Sequence, residues 1–268
     1  MSVADLLAPD PGTGNAAIAR ADPVAKLAVS LVISTALLLT VDAVTAGAAV
    51  ALELLALPWC GLGVRSLLRR GRIILIACAS AGLATVLFGV AGGRLLVAAG
   101  PVTVTAGSLV SGVAIALRVV AVGLPGVVLL ATTDPTDLAD SLAQILRLPA
   151  TFVLSALAAM RLFGVLADEW QALGYARRAR GLGDDGPLGR ARTVAGRLLP
   201  LLVLAVRRAT VLATTMESRG FGASRRRTWA RPSRWTAGDV ALTAGGVLLA
   251  AAATAAGVLA GTWRLVLS

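Results

Sequence analysis

No histidine and only two cysteines occur among the 268 residues, and this scarcity removes several chemistries at the outset. Without histidine there is no imidazole base, no histidine metal ligand and no Ser-His-Asp triad. Cys60 and Cys78 lie far apart rather than in a CxxC pair, so neither a zinc site nor a disulfide framework is indicated, and both read as small hydrophobes. The 14 acidic residues form no flanking pair suited to acid–base work. Lysine is nearly missing too: 24 of the 25 basic residues are arginine and Lys26 is the exception, a bias that reads as codon usage in a GC-rich genome. Catalysis on this chain is not expected, and an intramembrane enzyme ranks last among the function classes.

What fills the chain instead is apolar. Hydrophobic residues make up 57 % and charged residues 15 %, with 4 % aromatic, whereas a soluble domain averages about 45–50 % apolar and about 25 % charged. The composition is that of an integral membrane protein. Residues 1–21 carry Asp5, Asp10 and two prolines but no basic lead into a short apolar core, so they are expected to be a cytoplasmic lead-in rather than a signal peptide. Asp22-Pro23 has the form of a helix start, with Asp as N-cap and Pro at the first helical position. Two apolar runs, 24–41 and 43–57, flank Asp42 and end at Pro58; each is at or below the length of a bilayer-crossing helix, and they are expected to form a tight hairpin.

Arg65, Arg69, Arg70 and Arg72 are expected to form a short basic loop ahead of a charge-free span over 73–93. An extended connection with a Val-Thr-Val-Thr alternation follows, then a span over 106–133 interrupted by Arg118, and a last span over 240–263. Arg118 inside a span calls for a partner, with Glu53 as a candidate counterion, although either side chain could snorkel to an interface. Trp229, Trp235 and Trp263 fit an aromatic belt.

Most of the net charge of +11 lies in one block: residues 137–234 hold 16 arginines against 7 acids. By the positive-inside rule this block is cytoplasmic. It is built of helices. Capping residues around Thr132-Thr133-Asp134-Pro135 start a short one, and a long one runs over 150–180 with Ala156, Ala159, Phe163, Leu166, Trp170 and Leu173 at helical spacing. A second runs over 188–219 with Leu198, Leu202, Ala205, Ala209, Leu212 and Met216. Both end alike, as Ala179-Arg180-Gly181 and Ser218-Arg219-Gly220. One such ending is ordinary punctuation, since arginine complements the helix dipole and glycine is the commonest residue after the last turn. Two in succession ask for a further reason.

The paired endings, with Met216-Glu217-Ser218-Arg219-Gly220-Phe221-Gly222 around the second, resemble the T component of energy-coupling factor (ECF) transporters, the group often labelled CbiQ. Asp22-Pro23-Val24-Ala25-Lys26-Leu27 is similar to that family's opening Asp-Pro-x-x-Lys-Leu, as are Leu117-Arg118 and Thr132-Thr133-Asp134-Pro135-Thr136-Asp137-Leu138 to its later stretches. The resemblance covers about residues 20–262, and its one departure is Ser218, where the family usually has alanine. It implies an all-α integral membrane protein with about five transmembrane helices over 22–133 and 238–268. Between them, over 134–237, it implies a cytoplasmic coupling domain of two long crossed amphipathic helices and a short one.

It further implies a non-catalytic coupling subunit of an ATP-driven importer for a vitamin or a transition-metal ion, in the plasma membrane. Ala179, Arg180, Gly181, Ser218, Arg219 and Gly220 would dock two ABC-type ATPase subunits, and a small substrate-binding S component would sit on the same helices. ATP would bind those partners, leaving no cofactor or metal on this chain. Two other readings compete. A conventional ABC permease forms the substrate path itself, but couples through one short helix rather than two long ones. A basic membrane-anchored protein could bind lipid or nucleic acid without an ATPase, but the arginine block lacks aromatic interleaving and any nucleic-acid motif, so no nucleic-acid partner is expected.

Overall fold

A computed structural model describes residues 18, 20–40, 42–62, 64–89, 92, 94–99, 102–181, 186–222, 228–229 and 231–262. Most of the expected lead-in therefore lies outside the described residues, as does Trp263. The elements in chain order are α1 Pro23–Leu39, α2 Ala43–Cys60, α3 Val64–Phe88, β1 Leu95–Ala99, β2 Val102–Thr105, α4 Ala106–Thr132, α5 Pro135–Gln144, α6 Ala150–Ala179, α7 Gly186–Ser218 and α8 Ala237–Leu259. The described residues are all-α apart from the small antiparallel hairpin β1–β2, which forms where the extended connection was expected. Among the described residues, six helices are long and apolar enough to cross a membrane, namely α2, α3, α4, α6, α7 and α8, while α1 is shorter.

Two boundaries differ from the sequence reading. The basic stretch at 65–72 is not a loop: it forms the first turns of α3. Arginine is a good helix former, and no proline interrupts the run, so the helix begins at Val64 and carries its charges outward from the apolar part. Pro58 does not close α2 either; the helix runs on to Cys60 and is capped by Gly61 in the left-handed region (φ +67°).

The chain divides into two compact units, one of residues 8–141 and 233–268 and the other of residues 1–7 and 142–232. In the first, α1, α2, α4 and α8 meet around Ile33, Leu37, Ala49, Ala121 and Ala253, all at most 2 % exposed. Small residues let these helices come close. Gly246 of α8 faces Val29 of α1, Gly257 faces Thr45 and Asp42 at the α1–α2 turn, and Gly82 of α3 lies against the Gly112 backbone of α4. Asp42 caps α2, accepting from the Thr45 backbone N–H (3.0 Å) and hydroxyl (2.7 Å).

A polar knot closes the other end of this unit. Asp22 caps α1, accepting from the Val24 N–H at 2.9 Å, with Pro23 in the first turn. Its carboxylate also accepts from the hydroxyls of Ser141, at 3.2 Å, and of Ser233. Its own N–H donates to Asp239 at 2.6 Å, and Asp239 in turn accepts from the backbone N–H and hydroxyl of Thr236 in a capping box that starts α8. One turn along α1, the buried Lys26 ammonium donates to the carbonyl of Thr132 at the end of α4 (3.0 Å). Ser141 and Ser233 are the last and first residues of this unit on either side of the second. Both passages of the chain are thus fastened to one carboxylate.

Removing that carboxylate leaves several donors without an acceptor. We expect Asp22→Ala to lower the unfolding free energy by about 3 kcal/mol, a sum over hydrogen bonds to a charged acceptor, measured by denaturant titration in detergent. Asp22→Asn should cost less, because the amide oxygen can still cap α1. A loss below about 0.5 kcal/mol for Asp22→Ala would show that the knot does not bear on stability.

Candidate functional site

The second unit consists mainly of α6 and α7, packed antiparallel. Their close approach is built by a reciprocal exchange of arginine and glycine. Arg177 of α6 lies over Gly196 of α7 and donates to its carbonyl at 3.3 Å, and Arg197 of α7 lies over Gly174 of α6. A Cβ at Gly196 would come within 2.8 Å of the Arg177 guanidinium, and one at Gly174 within 2.9 Å of that of Arg197. Glycine is needed at both positions for room. Arg197 also stacks on Trp170, its guanidinium carbon 5.6 Å from the ring centre, and Glu169 pairs with Arg208. Away from this contact the helices part around a groove of about 950 Å³, lined by Leu157, Arg161 and Leu162 of α6 and by Arg207, Leu212 and Met216 of α7, among others.

The two Arg-Gly endings have matching geometry. In α6 the chain stops at Ala179; the Arg180 N–H bonds back to the Arg177 carbonyl at 3.1 Å, and the Gly181 N–H to that of Arg178 at 3.0 Å. In α7 it stops at Ser218; Arg219 bonds back to Met216 at 3.2 Å, Gly220 to Glu217 at 2.9 Å and Phe221 to Met216 at 3.0 Å, completing a Schellman closure. Gly181 and Gly220 hold φ of +75° and +76°, which a side chain would oppose. Arg180 and Arg219 each sit at the last helical corner, exposed, with no hydrogen-bond or ion-pair partner for the guanidinium among the described residues. The sequence therefore gives helix ends that are fully closed as backbone and left open as charge.

Since α6 and α7 run in opposite directions, these ends point apart. Arg177 touches Gly196, and from there to Arg219 is about 35 Å along α7 at 1.5 Å per residue. The expected apolar stripes are helical, and only part of each meets the other helix: Trp170 lies under Arg197, and Leu212 and Met216 line the groove. Phe163, Leu198 and Leu202 are exposed, at 58 %, 55 % and 61 %, and Leu199, Val203 and Val206 widen the bare apolar face of α7. Periodicity located the stripes; the arginine and glycine positions set the closest approach, and neither residue type carries a hydropathy signal for a helix contact.

Arg118 stands partly exposed on α4. Glu53 is not its counterion: that side chain is 5 % exposed, and neither carboxylate oxygen has a partner among the described residues. Sequence reasoning missed the Asp22 knot beyond its helix cap, because Ser141, Ser233 and Asp239 lie 119, 211 and 217 residues from Asp22. Among the described residues, no group of three or more His, Cys, Asp or Glu could hold a metal ion.

Fold and site define a class: an all-α, multi-pass membrane protein whose two longest helices form a separate unit with bare arginines at its opposite ends. A family model described as cobalt transport protein, CbiQ, matches residues 14–229, and the chain belongs to that family. It is 33 % identical over 174 residues to energy-coupling factor transporter transmembrane protein EcfT 1 of Listeria monocytogenes serotype 1/2a, covering 59 % of this chain and 65 % of that protein. Identity to the protein EcfT of Bacillus subtilis is 33 % over 154 residues, 54 % of this chain and 58 % of the relative. With the protein EcfT of Thermosediminibacter oceani it is 29 % over 238 residues, 85 % and 89 % of the two chains. The chain spans about half to two thirds of the length of several curated relatives that it matches.

The two glycines separate helix closure from any other role of the motif. We expect Gly181→Ala and Gly220→Ala each to weaken the last turn by about 1 kcal/mol, because alanine resists the left-handed region, read as faster amide exchange at that helix end. Arg180→Ala and Arg219→Ala should leave the exchange unchanged. Faster exchange in the arginine variants would make the guanidinium part of the cap.

Proposed function

We propose that this chain is the coupling subunit of an ECF-type ABC importer for a vitamin or a transition-metal ion. It joins two ABC-type ATPases to a small substrate-binding membrane subunit. The observation that carries this reading is the pair of equivalent, exposed arginines, without a partner among the described residues, at the far ends of one antiparallel helix pair. A guanidinium offers five donors in a rigid fork that fits a carboxylate or the last carbonyls of a helix. The glycine after it carries no side chain to keep a partner's backbone away. Two such ends about 35 Å apart suit two copies of one kind of partner, each gripping one end. The names of the relatives, transmembrane proteins of energy-coupling factor transporters, agree with this reading.

In this reading α6 and α7 lie on the cytoplasmic side although their length and hydropathy would let them span. Their charge argues against spanning. Arg161, Asp168 and Glu169 occupy the middle of α6, and Arg207 and Arg208 that of α7, and each such residue at the centre of a bilayer costs about 2.5–3.5 kcal/mol. The bare apolar face around Leu199, Leu202, Val203 and Val206 is then the seat of the substrate-binding subunit, since an exposed patch of that kind marks an interaction site. Closing of the ATPase dimer on ATP would move the two arginine ends and, through the rigid Arg–Gly contact, shear the face that carries the substrate subunit. Neither ATP nor substrate binds this chain, which acts as a non-catalytic scaffold.

Charge reversal at the two ends tests this directly. Arg180→Glu and Arg219→Glu should each weaken association with the ATPases about 30-fold or more, the scale of losing one buried, hydrogen-bonded charge pair, and together abolish it. Membrane insertion should be unaffected, because neither arginine supports the fold. Binding of the ATPases can be followed by co-purification with the variants in mild detergent. Retained association in the double variant would overturn the docking role; equal and complete loss from either single reversal would show that the two ends do not act independently.

A further inference from the structure

Glu53 is the most deeply buried carboxylate without a partner among the described residues: it is 5 % exposed, and both oxygens lack a hydrogen bond. An acid in that condition within a membrane-spanning helix is costly, and a partner from outside the chain is the natural remedy. Glu53 lines a cavity of about 910 Å³ between α1, α2, α4 and α8. Its walls are largely apolar, with Ile33, Leu124 and Leu249 among them, yet it also contains Lys26 and Arg20, of opposite charge to Glu53. At its edge Leu55, Trp59 and Leu248 are 72 %, 70 % and 69 % exposed. The rim of the cavity is thus apolar and exposed, which suits an opening onto the hydrocarbon of a bilayer.

We infer that this cavity is a site for one phospholipid with a primary-amine headgroup, its ammonium on Glu53, its phosphate toward Lys26 and Arg20, and its acyl chains along the apolar walls. Three features select this occupant. An acid and two bases in one cavity complement a zwitterion better than a headgroup of one sign. The opening faces the phase in which lipid is the solvent, so the occupant need not be recruited from water. And the acceptor is a bare carboxylate, which a primary ammonium satisfies through its N–H groups, whereas a choline headgroup has none to donate. The inference stands apart from the coupling role, since the cavity lies wholly within the unit of α1–α4 and α8.

The test is native mass spectrometry of the full-length protein, stripped of lipid in detergent and offered equimolar phosphatidylethanolamine, phosphatidylcholine and phosphatidylglycerol. The wild type should retain phosphatidylethanolamine about tenfold over phosphatidylcholine, the scale of one hydrogen bond to a charged group. Retention should fall stepwise through the mono-, di- and trimethylated headgroups. Glu53→Gln should abolish the preference. Gly245→Leu, at a cavity-lining position where a side chain meets open space, should lower retention of all three lipids with Glu53 intact. Equal retention of the three lipids by the wild type, or a flat methylation series, overturns the proposal without recourse to any variant. A preference that survives Glu53→Gln overturns the role of the carboxylate, and a wild type that holds no lipid leaves the cavity to another occupant and overturns it likewise.

Discussion

The carboxylate of Asp22 is the point on which the first unit depends. It caps α1 and accepts from Ser141 and Ser233, while its own backbone N–H reaches the residue that starts α8. Because the chain leaves this unit after Ser141 and returns at Ser233, both connections to the long-helix unit start from one charged group. Hydrogen bonds to a carboxylate are about twice as strong as those between neutral groups, and in apolar surroundings an acceptor lost is not replaced by water. The Lys26 bond to the end of α4 extends the same anchoring to the helix that leads into α5.

Arginine does three different jobs in the long-helix unit, and the distinction lies in what surrounds each side chain. Arg177 and Arg197 lie on glycines and hold α6 against α7. Arg208 pairs with Glu169 beside the groove. Arg180 and Arg219 have no such neighbours among the described residues and stay open to solvent. A composition rich in arginine and almost free of lysine hides these differences. Lysine, a point charge on a flexible stem, could replace the last pair only with loss of the planar fork, and could not stack on Trp170 as Arg197 does.

Much of this was legible in the sequence, and for identifiable reasons. The Asp22-Pro23 start of α1, the spans of α4 and α8, the extents of α6 and α7 and the glycine closures at Gly181 and Gly220 are local signals, each carried by a few adjacent residues. What the sequence hid is long-range or dependent on environment. The partners of Asp22 are 119 or more residues away in the chain. The closest contact between α6 and α7 uses glycine and arginine, so the apolar stripes did not mark where the helices approach each other. The basic run at 65–72 looked like a loop because charge marks loops in membrane proteins, whereas here it continues a helix out of the apolar region. Glu53, offered as a counterion for Arg118, proved to face a cavity instead.

The coupling account joins a firmly anchored membrane unit to a helix pair with two open charged ends, and it requires partners for those ends. Its most direct test is to isolate the tagged wild-type chain from its native membrane in mild detergent and identify what accompanies it. The account predicts two ABC-type ATPase subunits together with one small membrane protein, whose identity would name the transported substrate. Recovery of the chain under gentle conditions with no ATPase would contradict it, and would reduce the two Arg-Gly endings to helix closures.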